Sequence, residues 1–186
     1  MKFIEAGENI MKKNIFNIFV IIFIISLSRI IPHPPNFTPI LASAVMAPLL
    51  LKDRSLGILV TILSMFITDL IIGFHSYQFV IYFTLLTISL ITPVKKNYIS
   101  LLFISIAGSC WFYITTNFAV WLMWDYYPKN LNGLINCYTL ALPFFKNTLI
   151  STVLFSGIII ASIKYLYFLN EKINFLIFNF MNNKTN

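Results

Sequence analysis

Apolar side chains run in long blocks along this chain, and each block ends in polar residues, glycine or proline. The blocks lie at about 15–31, 38–51, 55–72, 77–93, 98–121 and 143–167. A helix needs roughly 17–25 mostly apolar residues to cross a bilayer, so a chain of 186 residues carrying six such blocks has room for little else. A hydrophobic content of 59%, a charged content of 10% and a mean hydropathy of +0.84 exclude a water-soluble domain. The pattern predicts an all-α polytopic membrane protein, a six-transmembrane-helix bundle forming one integral membrane domain over residues 1–186.

The second block is the weakest, because 14 residues of helix rise about 21 Å against a hydrocarbon core of roughly 30 Å, and Pro48 interrupts it. Basic residues arbitrate. If all six blocks cross, ten lysines and arginines (2, 12, 13, 52, 54, 95, 96, 164, 172 and 184) share one side, and three (Arg29, Lys129, Lys146) take the other. If the second block does not cross, the split becomes 5 to 8. The positive-inside rule selects the first arrangement, with both termini cytoplasmic in a multi-pass inner-membrane protein. The net charge of +7 is then explained by orientation, and no nucleic-acid partner is expected. The first block leaves through Leu27, Ser28, Arg29 and Ile30 without a small-x-small cleavage site, so it reads as a retained span. Met11, followed by two lysines, has the form of an alternative start.

The longest connection, 122–142, is expected outside. In it Leu134, Cys137, Tyr138 and Ala141 fall at i, i+3, i+4 and i+7, the spacing of a short helix with one apolar face.

Polar residues gather toward the same side. An ionisable group at membrane depth costs roughly 2.5–3.5 kcal/mol on insertion scales and must face protein or water. Arg29 and Asp69 each lie about 21 Å above the inner end of their blocks. That match suits a structural ion pair, a snorkelling arginine or a ligand contact. Near the same level come His33, Asn36, His75, Asn117, Lys146 and Asn147, which together suggest an outward-opening polar cup. Thr38 before Pro39 has the form of a helix cap. Trp121, Trp124, Tyr126 and Tyr127 suit an outer aromatic belt, with Trp121 also able to stack on a flat ligand. Small residues four apart, Ser43 with Ala47, Ser105 with Ser109 and Gly157 with Ala161, permit close helix approach.

Motifs for chemistry are missing from the sequence: no phosphate-binding loop, no H-E-x-x-H and no G-x-S-x-G occurs, and only one acidic residue falls inside a block. An enzyme is not expected, nor a cofactor. The two histidines lack a third ligand at suitable spacing, so no metal is expected. Cys110 and Cys137 make neither a disulfide framework nor a zinc set.

Four strings, RIIPHPPNFTPILA (29–42), TDLIIGFHS (68–76), TNFAVWL (116–122) and YPKNLNGLINCYTLALPFFKNTL (127–149), resemble in order and spacing an uncharacterised bacterial family of six-span transport-type proteins. In size and arrangement that family is similar to the substrate-binding S components of energy-coupling factor transporters. The resemblance implies a subunit that captures a vitamin or related small nutrient from outside. It also implies reliance on a separate energising ATPase module, reached through a transmembrane coupling subunit. Two features depart from it: the first block has no alanine or glycine, and Thr152 stands where an acidic residue is expected.

The resulting expectation is a transport protein whose substrate site uses Arg29, His33, Asn36, Asp69, His75, Asn117, Trp121, Tyr138 and Asn147 within membrane lipid. Arg29 would meet an anionic substrate group, and Asp69 would hold Arg29 or a cation. The alternative is a non-transporting scaffold subunit of a cell-envelope or cell-shape complex, in which Arg29 and Asp69 only fix helix register.

Overall fold

A computed structural model describes the backbone of residues 15–93 and 98–183 and the side chains of residues 18–93 and 99–175. Met11 and Lys2, Lys12, Lys13, Lys95, Lys96 and Lys184, on which the start-site and much of the orientation reading rest, lie outside the described residues. Within them are six helices and no strand: α1 (Ile15–Ile30), α2 (Ile40–Leu50), α3 (Arg54–Ile72), α4 (Gln78–Ile91), α5 (Tyr98–Met123) and α6 (Leu131–Asn183).

Three stretches, Arg54–Ile72, Ile99–Met123 and Leu131–Phe175, are long and apolar enough to cross a membrane. The expected count of six is not met by length and composition. Helices α1, α2 and α4 have 16, 11 and 14 residues, which rise roughly 24, 17 and 21 Å. Proline is one physical reason for the shortening. Pro32, Pro34, Pro35 and Pro39 cannot donate to a helical ladder, and they hold residues 32–39 out of helix between α1 and α2.

Large apolar side chains cover the surface, and hydroxyl-bearing residues are mixed into an otherwise apolar interior. Phe19, Phe23, Leu70, Ile71, Phe79, Phe83, Phe103 and Leu154 are exposed, whereas Thr61, Ser64, Thr68, Ser105, Ser109, Thr152 and Ser156 are buried. Many buried hydroxyls bond back to a carbonyl one turn earlier, as Ser64 does to Val60 at 2.7 Å and Thr152 to Thr148 at 2.7 Å. Others join helices, notably Ser105 with Ser156 at 2.9 Å and Ser43 with Thr61 at 3.3 Å. An apolar outer surface over internally satisfied polar groups suits lipid as the surrounding solvent.

Helix α2 is the core. Every residue from Ile40 to Pro48 is buried, and α1, α3, α4, α5 and α6 all pack against it. It is apolar on all sides, as a centrally placed helix must be. Its start differs by one residue from expectation. Pro39 precedes the first helical residue and no side chain caps it, while the Ser43 N–H reaches the Pro39 carbonyl at 2.8 Å. At its other end Lys52 adopts φ 50°, and the Asp53 carboxylate accepts from the Leu56 N–H at 3.1 Å to cap α3. The chain reverses there so tightly that a Cβ on Gly57 would lie 2.4 Å from the Pro48 nitrogen.

The second half of the 122–142 connection departs from the expected short helix. Residues 131–142 form a single helix with the last block, running through Pro143 without a break. The buried stripe explains the continuity: Gly133, Cys137, Ala141, Thr148, Thr152, Ser156 and Ile160 are buried at spacings of four or seven residues, so one face serves the whole length. Asn130 caps this helix, its carbonyl-type side-chain oxygen accepting from the Gly133 N–H at 2.9 Å.

Gly57→Ala should lower stability by ~1–3 kcal/mol because backbone, rather than a flexible side chain, blocks the added methyl. Gly157→Ala, which meets open space, should be neutral or stabilise by up to ~1 kcal/mol. Thermal unfolding of both variants in one detergent checks the contrast.

Candidate functional site

Arg29 ends α1 and Asp69 lies in the last turn of α3, and packing of those two helices brings them together. The Arg29 Nη1 lies 2.9 Å from Asp69 Oδ1. The same nitrogen donates to the Met65 carbonyl at 3.2 Å and to the Thr68 hydroxyl. Asp69 is wholly buried, and its second oxygen accepts from the Tyr82 hydroxyl at 2.7 Å and from the Gln78 amide. Every hydrogen bond described for the guanidinium thus leaves through Nη1. Asp69 has no solvent-facing surface left.

Above the pair opens a cavity of about 620 Å³. Its walls come from the end of α1, the 32–39 segment, the start of α2, the end of α3, the start of α4, the second half of α5 and the first half of α6. Alternate ends of successive helices therefore meet at one mouth. Of the nine residues expected at a site, Arg29, His33, Asn36, His75 and Asn117 line this cavity.

The other four do not line it. Asp69 sits behind Arg29. Trp121, in the last turn of α5, is held against the connection to α6: its indole N–H donates to the Pro128 carbonyl at 3.0 Å, and Lys129 binds its carbonyl while lying 6.0 Å from its ring. Asn147 donates to the Pro35 carbonyl at 3.0 Å and, with Ser151 reaching Asn36 at 3.4 Å, ties the 32–37 segment to α6. Tyr138 is half-buried against α5, with its ring on Tyr113 at 5.4 Å and its hydroxyl on the Ile114 carbonyl at 2.6 Å. Its own carbonyl accepts from the Tyr113 hydroxyl at 2.6 Å, so Tyr138 positions a wall residue instead of forming one.

The walls also contain groups not singled out in the sequence: Thr116, Thr148 and Ser151 supply hydroxyls, and Tyr77, Phe112, Tyr113, Phe144 and Phe145 supply aromatic surface. The signal for some of them is helical spacing. Tyr113 and Thr116 stand four and one residues before Asn117, and Tyr113 packs on Phe145 with centroids 4.6 Å apart. Across the mouth, His75 contacts Tyr77 at 5.3 Å, Tyr77 contacts Trp124 at 5.2 Å and Trp124 contacts Tyr126 at 5.0 Å. Two of the four residues expected in an aromatic belt, Trp124 and Tyr127, therefore face the cavity.

Chemically the site offers one guanidinium, neutral hydrogen-bonding groups and aromatic walls. Asn117 spends its amide N–H on the Tyr113 carbonyl at 2.7 Å and keeps its oxygen as an acceptor. Both His33 ring nitrogens face backbone carbonyls, of Pro34 at 2.8 Å and Arg29 at 3.2 Å, which fixes the ring at the rim. Cys137 points its thiol at the Asn117 carbonyl at 3.4 Å, and both cysteines are free. Among the described residues no three histidine, cysteine or acidic side chains converge as a metal set would require.

Fold and site together define an all-helical protein with membrane-type helices enclosing a polar-based, aromatic-walled cavity. Over residues 9–175 the chain matches DUF6580, a family of unknown function, and it belongs to that family. No curated protein and no solved structure matches it.

Removing one partner of the buried pair should be costly. Arg29→Ala is expected to lose about 3–5 kcal/mol, because an uncompensated carboxylate remains inside. Tyr82→Phe should lose about 1.5–3 kcal/mol with the hydrogen bond to that carboxylate. The double variant Arg29→Met, Asp69→Leu should recover most of the first loss. Denaturant titration of the detergent-solubilised variants measures all three.

Proposed function

We propose that the protein is an integral membrane transport subunit of the S-component type, binding a vitamin or related small nutrient in the cavity above Arg29 and Asp69. The observation that carries this reading is the cavity itself: about 620 Å³, built from every helix of the bundle except α2's interior-facing length, and floored by a guanidinium with free donor nitrogens. Its volume lies within the range of about 300–1,000 Å³ common for small-molecule sites.

Six crossings and cytoplasmic termini belong to the same proposal. Support comes from the alternation of helix ends around the mouth, and from α2, whose burial by protein removes the need for a full hydrocarbon-spanning length. Lys52 and Arg54 lie at the end of α2 and α3 remote from the mouth, as positive-inside orientation requires if the mouth faces out. Energy would come from a separate ATPase module through a coupling subunit, and the host membrane would be the inner one.

The scaffold reading draws on a different observation. Gly157 opens on empty space and Ala161 is exposed, so one small-residue pair faces away from the bundle where a partner helix can approach. Exchanging Arg29 and Asp69 separates the two readings, since a scaffold recovers function when the pair is re-formed in reverse and a binding site does not.

A thermal-shift screen of vitamins and small anions should find at least one compound that stabilises wild type and stabilises Arg29→Lys less, because lysine keeps the charge beside Asp69 but loses the fork. No stabilising compound, or equal stabilisation of both proteins, would sink the binding proposal. Topology has its own check. In a Cys110→Ser, Cys137→Ala background, His33→Cys and Arg54→Cys should label from opposite sides of the membrane, and labelling from one side removes the outward-facing chamber.

A further inference from the structure

The polar floor of the cavity is an ion pair already closed on itself, and that decides what chemistry the space above it accepts. We infer that the ligand is an uncharged molecule with an aromatic body and a hydrogen-bond acceptor edge, such as an amide or ring carbonyl, seated on the free guanidinium nitrogens of Arg29. This rests on the reading of the cavity as a small-molecule site and specifies the ligand class for it.

Charge is the first argument. Arg29 is the cavity's one fixed charge among the described residues, and Asp69 neutralises it at 2.9 Å from a position with no exposed surface. A carboxylate or phosphate placed on Arg29 would make a second negative charge on one guanidinium, with no further lysine or arginine in the walls to answer it. A cation fares worse, because the cavity presents no carboxylate and meets the guanidinium head on. An uncharged ligand incurs neither cost.

Hydrogen-bonding capacity is the second argument. Nη1 is committed to Asp69, Met65 and Thr68, whereas Nε and Nη2 have no partner among the described residues and donate only. They call for an acceptor on the ligand. The acceptor oxygen of Asn117, on the wall of the same cavity, is the complementary feature, suited to an N–H on the ligand. An amide carries both. The remaining walls, Phe112, Tyr113, Phe144, Phe145 and Trp124, are surfaces for an aromatic body.

Three probes sharing one ring and differing only in the head group test this: quinoline-3-carboxamide, quinoline-3-carboxylate and 3-(aminomethyl)quinoline, each added at millimolar concentration to the purified full chain. The amide should raise the melting temperature by about 3 °C or more, and the acid and amine by less than half as much. Asn117→Phe, which fills the cavity from its wall, should abolish the amide shift; if that variant does not fold, Val120→Phe serves from the next turn. A carboxylate or amine shift equal to or above that of the amide overturns the inference while leaving a binding site in place. An amide shift that survives both cavity-filling variants also overturns it, since binding is then elsewhere. If none of the three probes shifts the protein but a vitamin or anion does, the ligand class is wrong and the binding proposal stands; if nothing shifts it, both fall.

Discussion

A carboxylate with no exposed surface organises this protein. Asp69 on α3 is held by Arg29 from α1 and by Gln78 and Tyr82 from α4, so one side chain fixes the mutual placement of three helices. Stripping a carboxylate and a guanidinium of water is expensive, and the arrangement repays it only because almost every lone pair and several N–H groups find partners. The Gln78 side-chain oxygen is the exception, buried without a partner at the edge of the network. The network also sets the floor of the cavity: with Asp69 sealed behind Arg29, what faces upward is a guanidinium edge carrying donor capacity and little net charge.

Around that floor, the fold is arranged by what α2 lacks. It has no exposed face, and its small residues Ala42, Ser43, Ala44 and Ala47 are almost wholly buried beneath neighbouring helices. The close reversal into α3, where Gly57 lies against Pro48, lets the two helices pack as an antiparallel pair at the centre. Removing helix length at the 32–39 segment then creates the cavity, because backbone that would have continued α1 or α2 instead forms a wall tied to α6 through Asn147 and Ser151.

Much of this was legible in the residues. Apolar blocks located all six helices, and depth counting paired Arg29 with Asp69 across 40 positions of sequence. Five of the nine proposed site residues came to line one space. Where other expected site residues lie away from the cavity, backbone is often their partner. Trp121, Tyr138 and Asn147 each satisfy a carbonyl, which sequence alone does not reveal because the acceptor is not a side chain. Helix length misled in the other direction, since block length counts apolar residues and not the hydrogen-bonded ones among prolines. The continuity of α6 is legible in Gly133, Cys137, Ala141 and Thr148, whose spacing crosses Pro143 in register; the last apolar block begins only at about 143, although a single proline bends a helix without ending it.

Helix α6 has a mechanical consequence of its own. At 53 residues it rises roughly 80 Å, more than twice a hydrocarbon core. Phe144 and Phe145 border the cavity near one end, the bundle grips its middle at Thr148, Thr152 and Ser156, and between Ala161 and Phe175 most of its residues are exposed. One continuous helix therefore links the cavity wall to the exposed segment from Tyr165 to Phe175, with the serine and threonine contacts as its anchorage between them.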